Sequence, residues 1–314
     1  MNILVDLGHA ESIASAEAEL LTMALSLADG GVVSALTHVP LQDQLVADLG
    51  PYGVGRVFAP QTVAADVSAT DTGLLESVIR ETGPRLVLAS PTADATEWFG
   101  RLGARLGAAV ITEAIALAED RTVTKSVLAG THTTRVVPKT DLVFVTVKAN
   151  SIEAQPAPSA TTPQTHRCEP GIARPAARIV STSPAPVSDR PKLTEARVVV
   201  AGGRGLDGDF SLVEQLADEL GGAVGASRAA TDAGWIEHSA QIGQTGVTVS
   251  PQLFVSVGIS GAVQQRAGMQ TSKVIVAINK DEEAQVFEIA DFGIVGDLND
   301  VLPQAIAEIR RRRG

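Results

Sequence analysis

The sequence predicts an α/β protein of two domains, each a mostly parallel sheet flanked by helices, the C-terminal one doubly wound and Rossmann-like. Three observations carry this expectation. Short runs of Val, Ile, Leu and Ala alternate with helical periodicity along most of the chain, the pattern of strand–helix–strand units. The chain has 314 residues, enough for about two domains. Within residues 197–265, four apolar or small-residue segments each end in a cluster of Gly, Ser, Thr, Arg or Gln. That is the texture of parallel strands whose carboxyl ends hold one elongated, phosphate-bearing ligand.

The first half opens on NILVDLG (2–8), an apolar run with glycine behind it. Residues 14–28 show helical periodicity, and Gly30 and Gly31 stop them. GVVSALTH (31–38) is the next strand, followed by RVFAP (56–60), a helix around 74–81 and the strand RLVLAS (85–90). Asp94 and Thr96 are N-cap candidates for a helix that places Trp98, Leu102 and Leu106 on one face and stops at Gly107. AAVITEAIAL (108–117) follows it. From about Thr122 successive strands appear, TVTKSVL (122–128), TRVVP (134–138) and LVFVTVKA (142–149), which read as an antiparallel extension of the sheet. Residues 151–191 hold half of the 16 prolines and read as a connector with one strand at ARIVST (177–182). A boundary near Ser188 separates a first domain, 1–187, from a second, 188–314.

The second domain then runs RVVVAGG (197–203, strand), SLVEQLADELG (211–221, a helix stopped by glycine), GAVGAS (222–227, strand) and QLFVSVG (252–258, strand). A short helix at 262–267, the strands KVIVAINKD (273–281) and FGIVGD (292–297), and a helix from 302 to 313 complete it.

Composition excludes several classes of function. A net charge of −11 argues against nucleic-acid binding, because nothing offsets phosphate repulsion. The one basic cluster, Arg310 to Arg313, closes the last helix, where cations suit the negative end of the dipole. Cys168 is alone, so no internal disulfide or thiolate cluster is expected, and it reads as a bystander. His9, His38, His132, His166 and His238 do not pair at ligand spacing, which argues against zinc. No apolar run is long enough to span a membrane. Met1 leads directly into a strand, leaving no room for a signal or transit peptide, so a reducing, cytoplasmic compartment is expected. The first half lacks a Gly-rich loop after its first strand. Asp6-Leu-Gly-His9 reads as a plain turn, no catalytic set is visible there, and its expected work is to be a platform for a partner.

The chemistry therefore lies in the second half. Gly203, Gly205 and Gly208 satisfy GxGxxG after a strand and before a helix. A dinucleotide site also wants an acid about 20 residues on for the ribose; this chain has Ser227-Arg228 there, which suits a 2′-phosphate and keeps an NADP-linked oxidoreductase open. No hydride-acceptor site with an acid or base accompanies it. Arg204 is either a phosphate ligand or a solvated loop arginine. Ser260-Gly261 stands between a strand and a short helix, where serine caps and free N–H groups bind phosphate or a flavin carbonyl edge. QIGQTG, residues 241–246, offers amides and a hydroxyl that donate and accept, suiting a ring edge whose hydrogen bonding changes on reduction, or an ordinary turn. Asn279 and Asp297 each end a strand, positioned to grip an adenosine or to cap the next element.

Taken together, LTEARVVVAGGRGL, LGGAVGASRAATDAGW, QIGQTG, SPQLFVSVGISGAVQ, KVIVAINKD and IADFGIVGDL resemble the α subunit of the electron-transfer flavoprotein, in that family's order and over nearly all of residues 193–298. The first half matches in architecture and in loose patterns such as GARLGAAVITE. The resemblance implies an electron carrier rather than a substrate-converting enzyme. It implies a heterodimer of α and β subunits, FAD on the α C-terminal domain, AMP in the β subunit, flavin dehydrogenases as donors and a quinone-linked oxidoreductase or other acceptor. Carried onto this chain, Arg204 and Ser227 would help hold the FAD backbone and Arg228 would lie against the isoalloxazine. Gln244 and Thr245, on the loop with Ile242 and Gly243, would face its N5/O4 side. Ser260, Gly261, Ala262, Val263 and Gln264 would wrap the pyrophosphate and ribityl region, and Asn279, Asp297 and Leu298 would hold the adenosine end. Gln265 departs from the family, which usually has histidine there, and the proline-rich connector is a second departure. The flavin would carry the redox chemistry and the protein its position and electrostatics, so the lack of an acid–base set fits a carrier. An NADP-linked oxidoreductase subunit and a flavin-less binding subunit remain the alternatives.

Overall fold

The computed structural model describes residues 1–62, 69–128, 130–169, 180–181 and 189–313. The chain divides into two compact units, Met1–Lys125 with Thr133–Ala185, and Ser126–His132 with Pro186–Gly314. Both are α/β, with mostly parallel sheets flanked by helices, as the sequence predicts.

One sheet comprises β1 (Ile3–Asp6), β2 (Val33–Leu36), β3 (Arg56–Pro60), β4 (Leu86–Ala89), β5 (Ala109–Leu117), β6 (Val123–Val127), β7 (His132–Val136), β8 (Val143–Val147) and β9 (Gln164–Cys168). The helices of the first unit are α1 (Ser15–Ala28), α2 (Asp43–Leu49), α3 (Ala69–Thr82) and α4 (Ala93–Leu106). The strand order is β7-β6-β5-β8-β4-β1-β2-β3-β9. Strands β1, β2, β4 and β8 are buried throughout, which explains their predominantly apolar sequences: helices cover both faces of a parallel sheet. Val5, Leu88 and Val145 face the core under α1, whereas Leu4, Val87 and Phe144 face Trp98, Phe99 and Leu102 of α4.

Four local expectations are corrected. The run 142–149 is not an antiparallel extension. β8 pairs parallel with both β4 and β5, while β5 pairs antiparallel with β6. The connector contains β9, parallel to β3, and Cys168 ends that strand against the α3–α4 core cluster. Burial pushes the Cys168 thiol up, with Glu81 adding to the shift, so it stays protonated and unreactive near neutrality. α4 is capped by Thr92, whose hydroxyl accepts from Ala95 N–H at 3.1 Å, not by Asp94 or Thr96; its stop at Gly107, at φ 63°, is as expected. Helix α2 adds an element that seven residues of weak periodicity do not announce. The stretch 177–182, apart from Val180 and Ser181, and the boundary at Ser188 lie outside the described residues.

The second unit contains β10 (Val198–Gly202), α5 (Ser211–Leu220), β11 (Ala223–Ala226), α6 (Arg228–Asp232), β12 (Leu253–Val257), α7 (Val263–Arg266), β13 (Val274–Asn279), β14 (Phe292–Val295) and α8 (Leu298–Arg313). Its five strands are all parallel in the order β11-β10-β12-β13-β14. Alternate residues face opposite sides: Val200, Val255 and Ile278 pack under α5 and α8, while Val199, Ala201 and Phe254 pack against Ile242, Val249 and Met269. The chain leaves β10 to one side for β11 and returns to the other for β12. The strand order therefore reverses between β10 and β12, the place where open α/β sheets bind ligands beyond their carboxyl ends.

Candidate functional site

The loops beyond β10 and β12 meet backbone to backbone at that point. Gly203 N–H donates to Val257 O and Gly205 N–H to Gly258 O, both at 3.0 Å. A Cβ on Gly205 would lie 2.9 Å from Gly258 Cα, so only glycine allows the loops this close. Arg204 stands exposed on the turn between them. Asp209 follows the third glycine of the motif. Hydrogen bonds from Ser211 hold its carboxyl below the usual range, and its Oδ1 accepts Ser211 N–H at 2.9 Å. That acid steadies the start of α5.

Beside this lies the end of β11. Ser227 is buried, its N–H donates to Gly202 O at 2.9 Å, and its Oγ has no protein partner. Arg228 opens α6 with its guanidinium two-thirds exposed and 3.1 Å from Asp232. The loop 241–247 is stitched alongside. Ile242 N–H donates to Ala226 O at 2.9 Å and Gln244 N–H to Gln264 O at 2.8 Å, tying β11, the loop and α7 together. Gly243 carries φ 145°, a conformation other residues avoid. Ile242 is in the core, so only its backbone borders the site. Gln244 and Thr245 are exposed. Gln241, one of the two amides that the motif offers to a ring edge, is instead buried behind them and bonded to the Thr231 hydroxyl and to Thr245 Oγ1.

After β12, Ser260 is exposed and its carbonyl accepts Val286 N–H at 3.0 Å. Ala262, not Ser260, is the N-cap of α7, and no side chain caps it. Val263 and Gln264 are exposed, whereas Gln265 is buried with its Nε2 unpartnered. Asn279 has both ends of its amide engaged, Nδ2 donating to Ile259 O at 3.0 Å and Oδ1 accepting Asp281 N–H at 3.1 Å. Asp297 accepts Asn299 N–H at 2.8 Å at the start of α8, and Leu298 packs against the core.

The sequence-predicted residues thus line the carboxyl ends of β10 to β14, joined by backbone hydrogen bonds from loop to loop. The rim presents two exposed guanidiniums, a glycine-lined contact that admits a ligand backbone, and two buried polar atoms, Ser227 Oγ and Gln265 Nε2, that lack protein partners. A buried polar group without a partner is costly, and a polar ligand that reached past the rim to these two atoms would satisfy both. These residues fit an anionic dinucleotide with a hydrogen-bonding ring. Among the described residues there is no cluster of His, Cys, Asp and Glu able to hold a metal, and no helix is long and apolar enough to cross a membrane.

The first unit holds a cluster that the reading of Asp6–His9 as a plain turn overlooks. The turn is there, with Ala10 N–H donating to Leu7 O at 3.2 Å. Asp6, however, is paired with His38 at 3.0 Å, both side chains fully buried, and His38 stacks on Trp98 at 4.3 Å between centroids. His9 lies 5.8 Å from the same indole. The available signal is positional: Asp6 ends β1, and His38 follows the neighbouring strand β2 by two residues.

Comparison with known proteins gives two family matches. The family described as "Electron transfer flavoprotein FAD-binding domain" matches residues 192–270, and "Electron transfer flavoprotein domain" matches residues 2–170. The chain is similar to the electron transfer flavoprotein subunit alpha of Mycobacterium leprae (strain TN), 44% identical over 319 residues and 99% of each chain. It is 39% identical to that of Pseudomonas aeruginosa over 97% of this chain and 98% of the relative. It is 34% identical to that of Bacillus subtilis (strain 168) over 90% of this chain and 89% of the relative.

Proposed function

The chain belongs to the electron transfer flavoprotein family as an α subunit with a FAD-binding domain, and from that premise we propose that it carries FAD across the β10–β12 rim as half of a heterodimer with a β subunit. The observation that carries this reading is the pair of unpartnered buried atoms, Ser227 Oγ and Gln265 Nε2, set beside Arg204, Arg228 and the Gly205–Gly258 contact. In this assignment Arg204 and Ser227 hold the dinucleotide backbone, and residues 260–264 wrap the pyrophosphate and ribityl chain. Arg228 leaves Asp232 to lie against the isoalloxazine. Gln244 and Thr245 face the N5/O4 side, and Gln265 donates to the N1/C2=O edge. Asn279 acts through the Ile259 loop it holds, and Asp297 and Leu298 form the adenosine end.

Bound FAD supplies reversible uptake and release of electrons. The chain's part is to bind, orient and bias. A fixed guanidinium near the ring favours its negatively charged reduced forms, and no proton-transfer pair is required. We therefore read the protein as a carrier in the cytoplasm that accepts electrons from flavin dehydrogenases and passes them to a quinone-linked oxidoreductase or another acceptor. The domains divide functionally at 1–187 and 188–314, with 151–191 as connector. The first domain serves as the docking platform for the β subunit, which holds AMP. The filling of the carboxyl end of β1 by His38 and Trp98 supports a first domain without a ligand of its own.

The test is the absorption spectrum of the chain purified with its β subunit. Bound oxidised flavin is the expected result. Bleaching by NADPH with no dehydrogenase present would favour an NADP-linked oxidoreductase, and no chromophore even after adding FAD would favour a flavin-less binding subunit.

A further inference from the structure

Gln241 sits just behind the loop that carries Gln244 and Thr245, and it is only 6% exposed. Its Oε1 accepts the Thr231 hydroxyl at 2.9 Å, and its Nε2 donates to Thr245 Oγ1, also at 2.9 Å. Thr231 is itself buried, on α6, and its N–H donates to Ser227 O at 3.2 Å. A threonine hydroxyl has one hydrogen and two lone pairs. With Nε2 donating into the Thr245 oxygen from the buried side, the Thr245 hydrogen is turned outward, to the exposed side of the loop. The Thr231 hydroxyl also lies 3.1 Å from Arg228 O; with its single hydrogen on the shorter contact, to Gln241 Oε1, the amide turns Nε2 towards Thr245, and the direction of the Thr245 hydrogen is set two side chains away from the rim.

We propose that Gln241 is a positioning residue that makes Thr245 an obligate hydrogen-bond donor to the flavin. This rests on the reading that Thr245 faces the flavin ring. Gln241 touches no ligand in this arrangement; it acts by holding the hydroxyl in one orientation before the ligand arrives, so that none is spent in reorienting it. The same relay links the strand end that carries Ser227 and Arg228 to the loop that carries Thr245.

The test compares wild type with Gln241→Met, Thr245→Val and the double variant, each as the full chain purified with its β subunit and FAD. The readout is the ratio of affinities for reduced and oxidised flavin, taken from equilibrium reduction potentials. Thr245→Val is expected to lower that ratio by roughly three- to tenfold, the worth of one hydrogen bond. Gln241→Met is expected to lower it in the same direction, and the double variant no further than Thr245→Val alone, because coupled residues are non-additive. A Gln241→Met shift that adds fully to that of Thr245→Val, or no shift where Thr245→Val has one, overturns the proposal. No shift in Thr245→Val with flavin bound also overturns it, while leaving the flavin-carrier reading intact; absence of flavin in the wild type instead overturns that reading. If Gln241→Met binds no flavin, Gln241→Glu replaces it. A carboxylate only accepts, so it draws the Thr245 hydrogen inward and should reproduce the Thr245→Val loss without adding to it.

Discussion

At the residue scale, Arg228 and Gln265 test the assignment of the flavin ring. Arg228 is paired with Asp232 one turn along α6, both largely exposed. Such pairs are worth about 0.3–0.5 kcal/mol, so a ligand can draw the guanidinium away at little cost. Arg228→Ala should shift the balance between oxidised and reduced flavin far more than it weakens FAD binding, since the proposed assignment puts most contacts with the dinucleotide elsewhere on the rim. Equal loss of affinity for both redox states, measured by titration, would sink the placement of Arg228 at the ring. Gln265 donates through a neutral amide. Histidine in its place can carry a charge, and charge-assisted hydrogen bonds are roughly twice as strong as neutral ones. Gln265→His should raise the flavin potential at low pH and introduce a pH dependence near about 6 to 7, where histidine titrates. Identical potentials and pH profiles in reductive titrations would show that Gln265 faces something else.

At the element scale, the contact between the β10 and β12 loops constrains the site backbone against backbone. Gly205→Ala puts a Cβ 2.9 Å from Gly258 Cα, against backbone that has no flexible end to move. It should cost about 1–3 kcal/mol, as overpacking does, and weaken FAD binding in step; a variant with wild-type melting temperature and FAD affinity would mean the loops part freely. The elements of the second unit are legible in the sequence because each parallel strand, apolar on both faces, ends in a glycine or polar turn. β9 is not, since QTHRC at a sheet edge is half exposed and shows no apolar alternation. β8 is legible as a strand but not in its pairing: it follows β6 and β7 in sequence and suggests a meander, whereas its partners β4 and β5 lie far back along the chain. The same limit applies to side chains. The sequence points to QIGQTG as a polar loop, but it cannot tell that Gln241 turns inward to Thr231 while Gln244 turns outward, because those directions depend on packing between α6 and the loop. Asp6 and His38, 32 residues apart, meet only because β1 and β2 lie side by side.

At the scale of the whole molecule, two units with separate cores are expected to unfold separately. Heating should give two transitions, and FAD should raise only the one that belongs to the second unit, by about 2.7 kcal/mol of added stability at a hundred times its dissociation constant. Calorimetry showing a single transition that FAD moves as a whole would mean that the two cores are not independent cooperative units.

The burial of Trp98 against His38 has an optical consequence. The chain has two tryptophans: Trp98, 1% exposed in the first unit, and Trp235, half-buried against the Gly208 turn in the second. The sealed indole should emit at shorter wavelength than the wetter one. The red component should fade when FAD binds in the same unit and takes up its energy. Each half of the molecule thus carries its own fluorophore, and a single emission spectrum, recorded before and after adding FAD, reports on the two halves separately.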